Sequence, residues 1–144
     1  MNATEVAFHH GVTDKLGYAC RLLRKVYRSG ARAAVLGDAA ELDQLNRRLW
    51  EFDAQEFIPH VRVKAEPAAP RLQGTPLWLV DDLRSAPGCS IVVNLGHEVP
   101  HLSADVQRLI EIVSLGETDR SSARARWKHY AGLGWPIQQH EVHA

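Results

Sequence analysis

The residues with the clearest chemical potential form a basic and aromatic segment between positions 120 and 130. Four of its side chains fall at positions i, i+4, i+7 and i+8 of a helix and so form one stripe: Arg120, Arg124, Trp127 and Lys128. The segment holds no acidic residue, although the whole chain balances 17 lysines and arginines against 17 aspartates and glutamates. The stripe predicts a negatively charged partner with an apolar group, which arginine forks and an aromatic ring would bind together. The alternative is a solvated amphipathic helix whose Trp127 faces the core.

A second candidate site is the segment His97-Glu-Val-Pro-His101, which has the letters of the HExxH zinc-protease motif. That motif requires a continuous helix, which places both imidazoles on one face beside the glutamate. Pro100 lies between the two histidines, lacks an N–H group and would clash with an earlier carbonyl of a helix. We therefore expect structural or solvent-facing roles for these histidines, and no metal site.

The first fifty residues have the element pattern of a nucleotide-binding domain without its phosphate-binding residues. The turn after the first strand, His9-His10-Gly11-Val12-Thr13, contains one glycine, whereas a dinucleotide site needs several there. The chain has no GxxxxGK[ST] phosphate loop and no serine in a nucleophile elbow. We expect no cofactor. A small α/β enzyme or nucleotide-binding protein remains the alternative, using the carboxyl edge of the sheet near the two histidines and Asp38.

Size and composition indicate an ordinary globular protein. A chain of 144 residues can bury a core as one domain, which we expect to span residues 1–135, with a C-terminal tail at 136–144. No apolar run approaches the roughly 20 residues of a membrane span, and the N-terminus lacks the pattern of a secretion signal. Cys20 and Cys89 have no zinc spacing. We expect a cytoplasmic protein without membrane contact, and zero net charge predicts no strong direct binding to nucleic acid.

The elements that must position the stripe follow from the apolar patterns. Residues 5–9 predict a strand, residues 13–28 a helix capped by Thr13 and ended by Gly30, and residues 33–36 a strand buried on both faces. Asp38 and Glu41 resemble a capping box that opens a second helix. The β-α-β-α order predicts an α/β fold with a mostly parallel sheet flanked by helices.

The second half of the chain predicts further strands and the basic helix. Residues 61–63 follow Pro59 and predict an edge strand, and residues 77–80, 90–95 and 111–115 predict three more. A short helix is expected from Ser103 to Leu109. We expect the basic helix to be capped by Thr118 or Asp119 and to end near Gly132.

Four short motifs together resemble the chi subunit of the bacterial DNA polymerase III holoenzyme. They occur in the order of that family, over most of residues 3–135: Tyr27-Arg-Ser-Gly30 before a strand, Leu49-Trp50 followed by Phe57-Ile-Pro-His60, Ile91-Val-Val-Asn-Leu95, and Ala123-Arg-Ala-Arg-Trp-Lys-His-Tyr130. The resemblance implies a Rossmann-like sheet without a nucleotide site. It also implies a non-catalytic adaptor of the clamp loader, which binds the psi subunit and the acidic C-terminal tail of single-stranded-DNA-binding protein.

The resemblance implies that this acidic tail docks on the basic stripe. Arg124 would hold the terminal carboxylate of the tail, and Arg120 and Lys128 would meet its aspartates. The final aromatic ring of the tail would occupy a slot lined by Trp127 and by Leu115 or Val113. Arginine at position 120 and tryptophan at position 127 depart from the lysine and the tyrosine-like ring of the family, but they keep charge and ring character.

The resemblance places the psi partner on a second surface, formed by Trp50, Phe57, Pro59 and His60. Two large exposed aromatic rings there would make a suitable anchor for a protein partner. The alternative is that both rings complete the core. The same region is linked in the family to a DNA helicase as a further partner.

Overall fold

The computed structural model describes residues 4–52, 57–63, 74–86 and 88–142. Within them lie seven strands, three α-helices and one 3-10 turn at Leu83–Ser85. The strands are β1 Glu5–Val12, β2 Ala33–Leu36, β3 His60–Val63, β4 Leu77–Val80, β5 Ile91–Asn94, β6 Arg108–Ser114 and β7 Ile137–Glu141. The helices are α1 Lys15–Arg28, α2 Ala39–Phe52 and α3 Glu117–Gly132. None of these helices is long and apolar enough to cross a bilayer.

The seven strands form one sheet in the order β3-β4-β2-β5-β6-β1-β7, and all six neighbouring pairs are parallel. The predicted α/β class with a mostly parallel sheet is therefore confirmed. Strands β2 and β4 are short apolar runs, as expected of parallel strands covered on both faces. As predicted from Pro59, β3 lies at one edge of the sheet.

Alternate side chains of β6 contribute to two different hydrophobic cores, one on each face of the sheet. Ile110 and Ile112 of β6 face the helices α1 and α2, while Leu109 and Val113 face α3. The buried residues of both helices recur at helical spacing. They are Ala19, Cys20, Leu23 and Val26 in α1 and Leu42, Leu45 and Leu49 in α2. Of the helices in the described residues, α3 is the one that packs on this side of the β6-β1-β7 half of the sheet, and a pocket lies beside it.

The helix ends agree with the sequence in two places and differ in two. Asp38 caps α2, its Oδ1 accepting from the backbone N–H of Glu41 at 2.8 Å, and Gly30 adopts a positive φ of 81° after α1. The predicted cap of α1 at Thr13 is wrong by one residue, because the Asp14 carboxylate accepts from the N–H of Gly17. The predicted cap of α3 is also wrong, because Gly116 occupies that position without a side-chain hydrogen bond.

Two segments differ more substantially from the sequence-based predictions. The helix expected from Ser103 to Leu109 does not form; β6 begins at Arg108, where Leu109 pairs with Val6 and Val92 in the sheet. The spacing of Val106 and Leu109 imitates a helical face, but strand pairing determines the backbone there. The expected tail from residue 136 contains the edge strand β7, which pairs in parallel with β1 over five residues.

Candidate peptide-binding site on helix α3

A surface pocket of about 340 Å³ lies between α3 and the strands β1, β6 and β7. Its described lining is Phe8, His10, Val113, Arg120, Ala123, Arg124, Trp127, Lys128 and Gln139. We call it the α3 pocket. It includes all four side chains of the predicted stripe, so the helix does present them together. Carbon atoms form the interior and the cations stand at the rim, which is the distribution that an anionic ligand with an apolar end requires.

Trp127 combines the two alternatives that the sequence left open. Its ring packs against the buried ring of Phe8, with centroids 4.9 Å apart, and it belongs to the core beneath α3. The ring is nevertheless only half-buried and forms part of the pocket wall. The core contact therefore restrains the ring that forms this part of the pocket wall.

The cations at the rim differ in what already holds them. Arg120 and Lys128 are exposed. Arg124 is paired with Glu117, about two helical turns earlier, with Nη2 lying 2.9 Å from Oε1. Both side chains of this pair are largely exposed, 59% and 74%, so solvent screens their attraction and the pair contributes little stability. A ligand carboxylate could therefore displace Glu117 from Arg124 at small cost.

Leu115 does not lie in the described lining of the pocket. Its side chain is 56% exposed on the loop that leads into α3. Val113, which the sequence offered as the alternative, is buried in β6 and does line the pocket. The alternation of side chains along the strand explains the difference, since Val113 points towards α3.

Arg126 belongs to the same basic segment but is buried beneath the helix. Its side chain is 2% exposed, and its Nε lies 3.1 Å from Oε1 of Glu111 on β6. Tyr130 donates its hydroxyl to the same carboxylate at 2.5 Å, and Asn94 donates its amide to it. Burial raises the pKa of Glu111, and the guanidinium of Arg126 opposes that rise. This buried polar cluster anchors α3 on the sheet.

A second anchor holds the first turn of α3. Asp119 accepts from the backbone N–H of Ser114 at 2.8 Å and from Nζ of Lys15 at 3.1 Å. His97 lies 3.0 Å from the same carboxylate. Burial raises the pKa of Asp119, but the Ser114 N–H and the Lys15 ammonium outweigh it, so the net pKa is below the usual value. The position of Arg120, the next residue, depends on this anchor.

The segment that matches the HExxH motif, residues 97–101, is not helical. Residues 97–101 form a loop after β5, as expected from Pro100. In the described ranges no group of three or more His, Cys, Asp or Glu side chains is placed to hold a metal ion. His97 instead contacts Asp119, and its backbone carbonyl accepts from Arg126.

The carboxyl edge of the central strands carries a different kind of cavity. A cleft of about 530 Å³ there has four carboxylates among its described lining: Asp38, Glu41, Asp81 and Glu98. Phosphate groups would meet like charge at this edge, where nucleotide-binding sheets bind their ligands. Burial raises the pKa of Glu41, and the neighbouring Asp38 adds to the rise.

The second predicted surface lies at the other end of the sheet. Trp50 and Phe57 are 58% and 59% exposed, so neither ring completes the core. Their centroids are 5.2 Å apart, and the Trp50 ring lies 4.9 Å from that of His60. Pro59, which lies between Phe57 and His60 in the sequence, is half-buried. His60 is buried and its Nδ1 contacts the carbonyl of Ile58. We call Trp50, Phe57, Pro59 and His60 the aromatic patch.

Comparison with known proteins supports a family assignment. The family model described as DNA polymerase III chi subunit, HolC, matches residues 3–138. A relative from Pseudomonas aeruginosa, named DNA polymerase III subunit chi, is 30% identical over 131 residues, which is 89% of this chain and 87% of the relative. A relative of the same name from Haemophilus influenzae is 27% identical over 128 residues, covering 86% and 85% of the two chains.

Solved structures with a similar fold come from helicase domains. The C-terminal domain of the DEAD-box protein Dbp5 superposes with a TM-score of 0.64 at 11% identity, covering 96% of this chain and 90% of that domain. Domain 2 of the DEAD-box helicase Mss116p, solved with an RNA duplex, gives a TM-score of 0.64 at 10% identity. This chain is covered to 97% but spans only 64% of that one. At such identity the likeness concerns the fold alone.

Proposed function

Because the chain belongs to the family of DNA polymerase III chi subunits, we propose that it is a non-catalytic adaptor in the clamp-loader complex. It would join that complex through the psi subunit and bind the acidic C-terminal tail of single-stranded-DNA-binding protein. Such a role belongs to DNA replication in the bacterial cytoplasm. The observation that carries the proposal is the α3 pocket, whose apolar interior is rimmed by three cations.

The geometry of the α3 pocket suits a chain end better than an internal peptide segment. The final aromatic ring of the tail would pack on Trp127 and Val113, where the pocket lining is apolar. Its terminal carboxylate would take the guanidinium of Arg124 from Glu117, forming a charge-assisted pair. The upstream aspartates would lie near Arg120 and Lys128, which are exposed, so this part of the attraction should weaken with salt.

The aromatic patch supports a second protein partner. Exposed tryptophan and phenylalanine rings in mutual contact are typical anchors of protein interfaces. We propose that the psi subunit binds this patch. A DNA helicase would be a further partner and would compete with psi for the same patch. The patch and the α3 pocket lie on opposite halves of the sheet, which would allow both partners to bind at once.

The alternatives have less support. An enzyme or nucleotide-binding protein would use the carboxyl edge of the sheet, but the four carboxylates of that cleft disfavour a phosphorylated ligand. Nucleic-acid binding through the stripe would leave the apolar interior of the α3 pocket unused. The pocket matches a carboxylate with a ring more closely than a phosphate backbone.

The experiment that tests the proposal is a titration with a peptide ending in Asp-Asp-Asp-Ile-Pro-Phe. We expect a dissociation constant on the order of micromolar, lost when the peptide is amidated at its C-terminus and in Arg124→Ala. The matched control is Arg84→Ala, which removes another exposed arginine, 91% exposed and ion-paired with Asp82 outside the pocket. No binding by the folded wild-type protein, or equal binding of the amidated peptide, would contradict tail recognition.

A further inference from the structure

A second cationic surface lies on the face of the sheet opposite the α3 pocket. A cleft of about 520 Å³ runs between α1 and the edge strand β7, across the start of β5 and β6. Its described lining is Ala7, His9, Tyr18, Arg21, Leu22, Lys25, Val26, Ser29, Ile91, Arg108, Ile110, Gln138, Gln139 and His140. We call it the α1–β7 cleft. Neither the stripe nor the aromatic patch extends into it.

The charges of this cleft are one-sided. Arg21 and Lys25 are exposed one turn apart on α1, and Arg108 stands at the start of β6. The described lining contains no carboxylate, in contrast to the cleft at the carboxyl edge. Glu5, which pairs with Arg108 in the sheet register, is not part of it. Because three cations and no carboxylate line the described part of the cleft, its local charge is positive although the chain has zero net charge.

The same positive charges affect the pKa of His9. The pKa of His9 is lowered to about 4. Burial is the largest cause, and interactions with His140, Arg108 and Lys25 add to the lowering. His9 is therefore neutral at physiological pH. Its Nδ1 contacts the hydroxyl of Tyr18 at 2.5 Å. The positive charge of the cleft is permanent, because the arginines and the lysine produce it and the histidines need not be charged.

The cleft also offers aromatic rings beside these cations. His9 lies edge-on to Tyr18, with centroids 5.7 Å apart, and it lies 5.0 Å from the exposed ring of His140. The guanidinium of Arg21 lies 5.7 Å from the Tyr18 ring centre. Flat rings within reach of guanidinium and ammonium groups are the combination that binds single-stranded nucleic acids, by base stacking and phosphate neutralisation. The side-chain amide of Gln138 adds a donor and an acceptor for base edges.

We propose that the α1–β7 cleft binds a short stretch of single-stranded nucleic acid. Its phosphates would contact Arg21, Lys25 and Arg108, and one base would stack on His140. An acidic peptide without aromatic residues would use only the cations, whereas nucleic acid would use the cations for its phosphates and the rings for its bases. Binding should be modest and strongly dependent on salt, because few cations contribute and all are near the surface. The expectation of no strong binding from net charge is compatible with such a local site.

The test is fluorescence anisotropy with a labelled oligothymidylate at low salt, using the full chain. The wild-type protein should bind, and the affinity should fall as salt rises. Arg21→Glu with Lys25→Glu should abolish binding, and His140→Ala should weaken it several-fold with the salt dependence unchanged. Arg124→Ala is the control, because Arg124 lies in the α3 pocket on the other face and should leave oligonucleotide binding intact.

The same variants separate this proposal from the adaptor role. The Arg21→Glu, Lys25→Glu protein should still bind the acidic peptide, while Arg124→Ala should lose the peptide and keep the oligonucleotide. Lack of oligonucleotide binding by the wild type at low salt would overturn the cleft proposal and leave the adaptor role standing. Loss of peptide binding in the α1 double variant, with no effect on the oligonucleotide, would show that the cleft is a protein-binding surface instead.

Discussion

Arg126 and Glu111 face each other in the protein interior, with Nε of the guanidinium 3.1 Å from Oε1 of the carboxylate and both side chains almost inaccessible. They join α3 to β6 on the buried side of the helix. Removing one partner of such a pair leaves an uncompensated buried charge, which is far more costly than the pair itself is favourable. The helix that carries the exposed stripe is therefore held in place by an arginine that belongs to the same sequence segment.

Arg126→Met should lower the free energy of unfolding by about 3–5 kcal/mol. Arg124→Met, an exposed arginine of the same helix, should change it by less than about 1 kcal/mol and serves as the control. Urea denaturation measures both. Similar small losses in the two variants would show that the buried pair does not anchor α3.

The pH dependence of Arg126→Met follows from Glu111. An acid whose pKa is raised in the folded state binds more protons there than in the unfolded chain, so stability falls as pH rises through that range. Burial raises the pKa of Glu111, and loss of Arg126 removes a charge that lowers it. The deficit of the variant should therefore be larger at pH 8 than at pH 5. A deficit independent of pH would indicate lost packing only.

Arg126 also illustrates which part of the site the sequence could predict. The i, i+4, i+7, i+8 spacing correctly grouped the four side chains that line the α3 pocket. It could not reveal that Arg126 turns inwards, because its partner Glu111 lies fifteen positions earlier on a strand. A glutamate within the apolar run of residues 109–113 was the available signal, since a buried carboxylate needs a partner.

The fold divides in the same way. Strands such as β2 and β4 were predictable because burial on both faces makes them continuous apolar runs. Strand β7 was not, because its sequence Ile137-Gln-Gln-His-Glu141 is polar and mostly exposed at the sheet edge. The α1–β7 cleft was missed for a related reason: α1 contributes two of its cations, β6 contributes one and β7 contributes the His140 ring, and these elements are distant in sequence.

Asp119→Asn should destabilise the protein at neutral pH by about 1–3 kcal/mol, because Lys15 loses its buried carboxylate partner. The pKa of Asp119 is lowered in the folded state, so its contribution is fully present above the unfolded value of about 4 and is lost as pH falls below it. The gap between wild type and variant in urea denaturation should therefore narrow from pH 6 to pH 3. A constant gap would contradict the role of the charge.

Glu117→Gln should strengthen binding of the acidic peptide about two- to five-fold at low salt. The substitution frees Arg124 from its 2.9 Å ion pair and removes a negative charge near the pocket. The gain should shrink as salt is raised, since both groups are exposed. Calorimetric titration at two salt concentrations measures the effect. Weaker binding after the substitution would mean that Glu117 holds Arg124 in the binding orientation.

Trp50→Ser and Phe57→Ser should leave stability within about 1 kcal/mol of wild type, because both rings are more than half exposed. Each should reduce binding to a psi subunit from the same genome at least ten-fold, as expected for central anchors of an interface. Leu133→Ser is the matched control, since Leu133 is 51% exposed and lies on the far half of the sheet. Co-purification and calorimetry test the set. Equal losses in all three variants would remove the aromatic patch as a specific site.

Ending the chain after Trp135 should destabilise the protein by about 2–4 kcal/mol and promote self-association. Strand β7 supplies the parallel ladder along β1 from Val6 to His10, and each lost hydrogen bond contributes about 0.5–1.5 kcal/mol net. Without it, β1 becomes an open edge beside the buried ring of Phe8, which favours pairing with another chain. Ending the chain after Val142 keeps β7 and is the control. Urea denaturation measures the stability, and size-exclusion chromatography measures the self-association. If both shortened proteins are equally stable and monomeric, β7 does not stabilise the sheet, and residues 136–144 behave as the tail that the sequence predicted.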